Sequence, residues 1–173
     1  MRLNYFRDSM KPMEPNVRIR PAEVQDLDDL VELLRQLFSI EADFEVDASR
    51  QRRGLSMLLD GCGKHRCLLA AEAGGRVLGM ASAQLLISTA EGGFSVVVED
   101  IVVATSWRGR GIGRMLAAAI GRWASERGVS RLQLLADRTN IPALRFYEKQ
   151  GWKTTQLICL RKKGPLERDP SSS

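Results

Sequence analysis

Glycines stand at every second position from Gly109 to Gly113, directly between a β-rich run and an amphipathic helical pattern. The run before them, Phe94 to Val103, ends Glu99-Asp100-Ile101-Val102-Val103. After them Ile112, Leu116, Ala119, Ile120 and Trp123 recur at helical spacing, and Gly128 stops the helix. Alternate glycines let the backbone approach a ligand closely and turn successive N–H groups inward. The helix start adds unpaired N–H groups and the positive end of its dipole. With Arg108, Arg110 and Arg114 around it, the turn suits a pyrophosphate. The same residues would also make a plain strand-to-helix turn with solvated arginines. Spacing excludes two other phosphate loops. A Walker loop needs Gly-Lys-Ser/Thr where Gly113 precedes Arg114 and Met115, and a dinucleotide fingerprint needs glycine at 112 or 114.

The rest of the chain alternates element types. Val17 to Arg20 reads as a short strand, and Asp26 to Phe38 as a helix carrying Leu27, Leu30, Val31, Leu34 and Leu37 on one face. Asp47 can cap a second helix running through Leu59, although Gly54 weakens it. Cys67 to Ala73 and Val77 to Ile87 are strands joined by Gly74-Gly75, a hairpin signal. Arg131 to Ala136 is a strand, Ile141 to Gln150 a helix, and Trp152 to Leu160 a closing strand or two. The order β-α-α-β-β-β-α-β-α-β predicts an α/β layout with a mixed sheet. Residues 1–16 form an N-terminal extension, 17–163 the domain, and the serine-ended stretch 164–173 a disordered tail.

Composition narrows the class. A length of 173 residues with 44% apolar and 27% charged side chains suits one globular domain. No apolar run reaches the roughly 18 residues of a membrane span, and residues 1–15 lack a signal-type apolar block. Three cysteines, Cys62, Cys67 and Cys159, fit reduced thiols in a cytoplasm. Cys62, His65 and Cys67 lie close in sequence without a fourth ligand, so no metal is expected. The net charge of +5 admits nucleic acid but suits a polyanionic cofactor equally. The arginines gather at one turn, whereas a nucleic-acid face is broader and interleaves aromatics.

A second block follows downstream, Asn140-Ile-Pro-Ala-Leu-Arg-Phe146-Tyr147-Glu-Lys-Gln-Gly151-Trp152. With Arg108-x-x-Gly111-x-Gly113 after Glu-Asp-Ile-Val-Val, it resembles the GCN5-related N-acetyltransferase (GNAT) superfamily over roughly Val17 to Leu160, which implies a mixed, mostly antiparallel central sheet flanked by helices. The resemblance implies acetyl-CoA as co-substrate, held by the backbone of Ile101, Val102 and Val103, by the loop Arg108, Gly109, Arg110, Gly111, Ile112, Gly113 and Arg114, and by Asn140. It implies Tyr147 as the acid that protonates the departing thiolate. Glu99 is then the candidate base, since a neutral amine that attacks a thioester must lose a proton. A phenol with an ordinary pKa near 10 holds its proton at pH 7.

Each residue has a plainer role beside this one. Asn140 would cap the helix at Ile141, Tyr147 would pack beside Phe146, and Glu99 would be a solvated strand residue or an ion-pair partner. For the acceptor, the resemblance implies that the segment between the first two helices lines the pocket. Its Glu41, Asp43, Glu45 and Asp47, with no lysine or arginine before Arg50, would attract a cationic amine, and Glu41, Asp43 and Asp100 are the candidate substrate-binding residues. The same carboxylates would also make an acidic solvated loop. The expected partners are a small-molecule amine or a protein amine and a second copy in a homodimer, with neither nucleic acid nor membrane. A CoA-binding module without catalysis and a protein N-terminus or lysine acetyltransferase stay open beside this reading.

Overall fold

The computed structural model describes residues 16–40 and 44–162. The elements are β1 (Arg18–Pro21), α1 (Leu27–Phe38), α2 (Ala48–Asp60), β2 (Arg66–Ala73), β3 (Arg76–Ser88), β4 (Gly93–Val103), α3 (Ile112–Ser125), β5 (Leu132–Leu134) and α4 (Ile141–Lys149). The sheet runs β1-β2-β3-β4-β5 in chain order, antiparallel at every step except the parallel pair β4/β5. That exception follows from connectivity. Hairpins join β2 to β3 and β3 to β4, whereas β4 reaches β5 only by crossing through α3. At the first hairpin Gly74 and Gly75 both take positive φ, 59° and 75°, as a two-residue turn of matching twist requires.

Apolar side chains bury the two faces separately. On one face Leu30, Leu33 and Leu34 of α1 and Leu55 of α2 pack with Leu68, Ala70, Met80 and Val102 of the sheet. On the other, α3 buries Ile112, Leu116, Ile120 and Ala124, one residue per turn or nearly so. Gly79 keeps this second contact close. A Cβ there would meet the Val102 carbonyl oxygen at 2.9 Å and Leu116 Cδ1 at 3.4 Å.

Local sequence sets the element ends. Asp47 caps α2 by accepting from the Arg50 N–H at 3.0 Å. Where β1 leads into α1, Arg20 donates to both carboxylate oxygens of Asp26, at 2.7 and 2.8 Å, and to Glu72 of β2 at 2.5 Å.

The expected order holds up to α4, with β5 shorter than the span 131–136. The closing strand over Trp152 to Leu160 is a correction: no strand is assigned among residues 150–162. A strand exists through its ladder partner. Here the Leu157 N–H goes instead to Thr155 Oγ1 at 3.3 Å, a local bond that competes with a ladder, and Leu157, Ile158 and Leu160 stay exposed. The chain divides after Leu134 into two compact units, the second comprising Leu135 onward. The expected N-terminal extension, apart from Asn16, and the tail 164–173 lie outside the described residues.

Candidate active site

The site in the first unit begins with one extra residue in β4. Ser82 pairs with Asp100 and Ala83 with Val98, so Glu99 has no partner on β3 and forms a β-bulge. On the other side β4 pairs with β5 only at Val96, Val97 and Val98. From Glu99 onward that edge of β4 has no ladder partner among the described residues.

Antiparallel alternation fixes which backbone groups line the open edge. Ala104 N–H donates to Leu78 C=O at 2.8 Å, so Ala104 faces β3, and by alternation Val102 and Asp100 do as well. Ile101 and Val103 therefore turn their N–H and C=O groups outward. Of the three residues expected to hold the pantetheine arm by backbone, Val102 directs its groups at β3 instead. The Val103 carbonyl also accepts from Arg108 Nε at 3.1 Å, which ties the end of the strand to the turn after it.

That turn contains Thr105–Trp107, one turn of 3-10 helix, and then Arg108 to Gly111. Gly109 and Gly111 have φ of 78° and 80°, the left-handed region, and at both the volume that a Cβ would fill is empty. Gly111 is the N-cap of α3 and brings no side-chain cap of its own. The N–H groups of Ile112, Gly113 and Arg114, at the positive end of a 14-residue helix, donate to no acceptor among the described residues. Arg108, Arg110 and Arg114 are exposed around it, and none forms an ion pair among the described residues. Arg110 lies over the Trp107 ring, 4.6 Å from its centroid. This arrangement suits a polyanion such as a pyrophosphate.

The adjacent carboxylates differ. Glu99, at the bulge, is exposed. Asp100 turns its side chain to the face shared with Met80 and Val102, and its Oδ2 accepts from Ser82 Oγ at 2.9 Å. Although the residue keeps some exposure, its carboxyl group is deeply desolvated, and this, with the negative charge of Glu99, pushes its pKa up to about 6 against the Ser82 hydrogen bond. Sequence reasoning passed over Ser82. The available signal was a hydroxyl inside the apolar run Leu78 to Ala83, fully buried in the structure.

The second unit holds the other expected residues. Asn140 caps α4, its Oδ1 accepting from the Ala143 N–H at 3.2 Å. Tyr147 packs edge-on against Phe146 at 5.2 Å and Trp152 at 6.0 Å between ring centroids. Of the acidic segment, Asp47 is engaged with Arg50, Glu45 is exposed, and Glu41 and Asp43 lie outside the described residues. Cys62, Cys67 and Cys159 are free thiols, and burial pushes Cys67 up to about 12.

Known proteins resemble this chain in sequence and in fold. Residues 27–152 match the model of the acetyltransferase (GNAT) family. The chain belongs to that family, whose members are acetyl-CoA-dependent N-acetyltransferases. Streptothricin acetyltransferase of Streptomyces lavendulae is 34% identical over 87 residues, which make up half of this chain but 44% of that protein. Thialysine N-epsilon-acetyltransferase of Mus musculus is 27% identical over 79% of this chain and 89% of its own. Among solved structures, an aminoglycoside N-acetyltransferase in complex with CoA superposes with a TM-score of 0.72 at 21% identity, over 88% of this chain and 97% of that one. A possible acetyltransferase from Clostridium difficile 630 gives 0.75 at 18% identity, over 87% and 99%. At these identities the structural likeness concerns the fold alone.

Proposed function

We propose that the chain transfers an acetyl group from acetyl-CoA to the amine of a small cationic molecule by direct attack. The observation that carries this reading is continuity. An unpaired strand edge at Ile101 and Val103 runs straight into an empty, arginine-lined helix start. The open edge fits an amide-bearing arm and the turn fits a pyrophosphate, which are the two halves of CoA. Ile101 and Val103 would hold the arm by backbone, while Arg108, Arg110, Arg114 and the N–H groups of Gly109, Gly111, Ile112 and Gly113 would hold the phosphates. Acetyl-CoA supplies an activated acyl carbon with a thiol leaving group.

The remaining work falls to side chains of the chain. A carboxylate on β4 takes the proton that the amine must lose, and the Tyr147 phenol gives one to the departing sulfur. Asn140 holds the pantetheine while capping α4. Exposed Glu45, together with Glu41 and Asp43, would draw a cationic acceptor by charge. Streptothricin, thialysine and aminoglycosides, named with the related enzymes, are amine-bearing molecules, which favours a small acceptor over a protein amine.

The test is a panel of amines with acetyl-CoA, followed by thiol release. Polyamines, aminoglycosides and basic amino acids are expected to react, with a KM that rises with salt as exposed charge attraction is screened. Reaction confined to peptides bearing a free N-terminus or lysine would move the acceptor to proteins. Stabilisation by acetyl-CoA without any transfer would leave a CoA-binding module.

A further inference from the structure

We propose that Asp100, held by Ser82 beside the opened edge of β4, is the group that takes the proton from the attacking amine, and that Glu99 acts on it only through its charge. The inference rests on the acyl-transfer reading and assigns a role within it.

The bulge separates the two carboxylates. As the extra residue, Glu99 has no partner on β3 and is exposed. Asp100 comes next, on the face of Met80 and Val102 and directly before Ile101, the first residue whose backbone groups turn to the open edge. Its carboxyl has one protein donor among the described residues, the hydroxyl of Ser82. Ser82 is itself fully buried, so its hydroxyl must find an acceptor, and it finds this one. Oδ1 accepts from no donor among the described residues, and no Lys, Arg or His nitrogen there lies within ion-pair distance of either oxygen.

A desolvated carboxylate with a single hydroxyl partner costs stability in the resting protein. A cationic amine at the open edge would supply the missing partner. Of the groups facing it, β3 offers the uncharged Ser82 and β4 the anionic Glu99. Burial raises the Asp100 pKa to about 6, so it is mostly ionised at pH 7 while binding a proton about a hundredfold more tightly than an ordinary aspartate. That combination suits a general base.

The step balances as follows. The ammonium gives one proton to Asp100, and the freed lone pair forms the C–N bond to the acetyl carbonyl carbon. The C–S bond then breaks with its electron pair on sulfur. The second N–H proton passes to water as the amide forms, and the thiolate takes its proton from the Tyr147 phenol, which regains one from water. Asp100 returns its own proton to water, so that the products are the amide, the thiol and one released proton.

The experiment compares Asp100→Asn, Glu99→Gln and Ser82→Ala by the pH dependence of kcat/KM and by carboxyl carbon NMR of the unliganded protein. Asp100→Asn is expected to lose at least a hundredfold in kcat with acetyl-CoA affinity kept. Ser82→Ala should move the acidic limb and the Asp100 titration to higher pH, because it removes a bond that favours the charged form. Glu99→Gln should move both to lower pH and change kcat only a few-fold. As an exposed position, it tests the idea even if Asp100→Asn fails to fold. A hundredfold loss in Glu99→Gln overturns the assignment, and so does an Asp100 carboxyl that titrates in the ordinary aspartate range. If no amine reacts, acyl transfer fails as a reading and the proton-acceptor role falls with it, while two opposed shifts would still show the Asp100 carboxyl coupled to Ser82 and Glu99.

Discussion

Gly111 shows what one residue without a side chain contributes. Its φ of 80° would cost an L-residue roughly 1–2 kcal/mol, but among the described residues nothing beyond its chain neighbours lies within 4 Å of where a Cβ would stand. Gly111→Val should therefore fold with a modestly lowered melting temperature and lose the stabilisation that acetyl-CoA gives the parent protein, as a thermal-shift titration would read. An unchanged shift would leave the turn without a ligand role. Tyr147→Phe separates differently. Its ring contacts with Phe146 and Trp152 survive, so folding should be unaffected while turnover falls roughly ten- to a thousandfold in single-turnover assays. Residues of this kind were legible in the sequence because glycine, asparagine at a cap and an aromatic pair each carry a local signal. The contrast between Glu99 and Asp100 was not legible. Adjacent carboxylates in a β run look interchangeable until the register shows which of them is the extra residue.

Among elements, the link between β1, α1 and β2 depends on charge held out of water. The side chains of Arg20 and Asp26 are only 16% and 6% exposed, and Asp26 also accepts from the Glu23 N–H at 2.7 Å. The Arg20 guanidinium holds the Asp26 carboxyl below its usual range. A depressed folded pKa means stabilisation that is full above the unfolded value of about 3.9 and lost as pH falls through the lower folded one. Asp26→Asn should cost about 2–3 kcal/mol at pH 7 by urea unfolding, less than a fully orphaned pair because Glu72 still meets Arg20. The deficit should shrink below pH 4. Helical periodicity announced α1, α2, α3 and α4 well. β5 and the stretch after Trp152 were over-read, since a short apolar run cannot reveal whether a ladder partner exists.

At the scale of the whole molecule, chain order alone gave the sheet. Two glycine hairpins, the α1–α2 connection and the α3 crossover join the four neighbouring pairs. What the order could not give is where β4 and β5 part company. Without Glu99, side chains along β4 would alternate faces without interruption, Val98 to one side and Asp100 to the other, and the backbone phase would run on toward β5. The residue thus acts as a dislocation in an otherwise regular lattice, and the opening beside Ile101 is its strain field. A chain with Glu99 deleted should therefore heal: as stable as its parent or more so in thermal melts, its fourth and fifth strands zipped further along, and acetyl-CoA unable to raise its melting temperature. A competent site here is a fault that the sheet could repair by losing one residue.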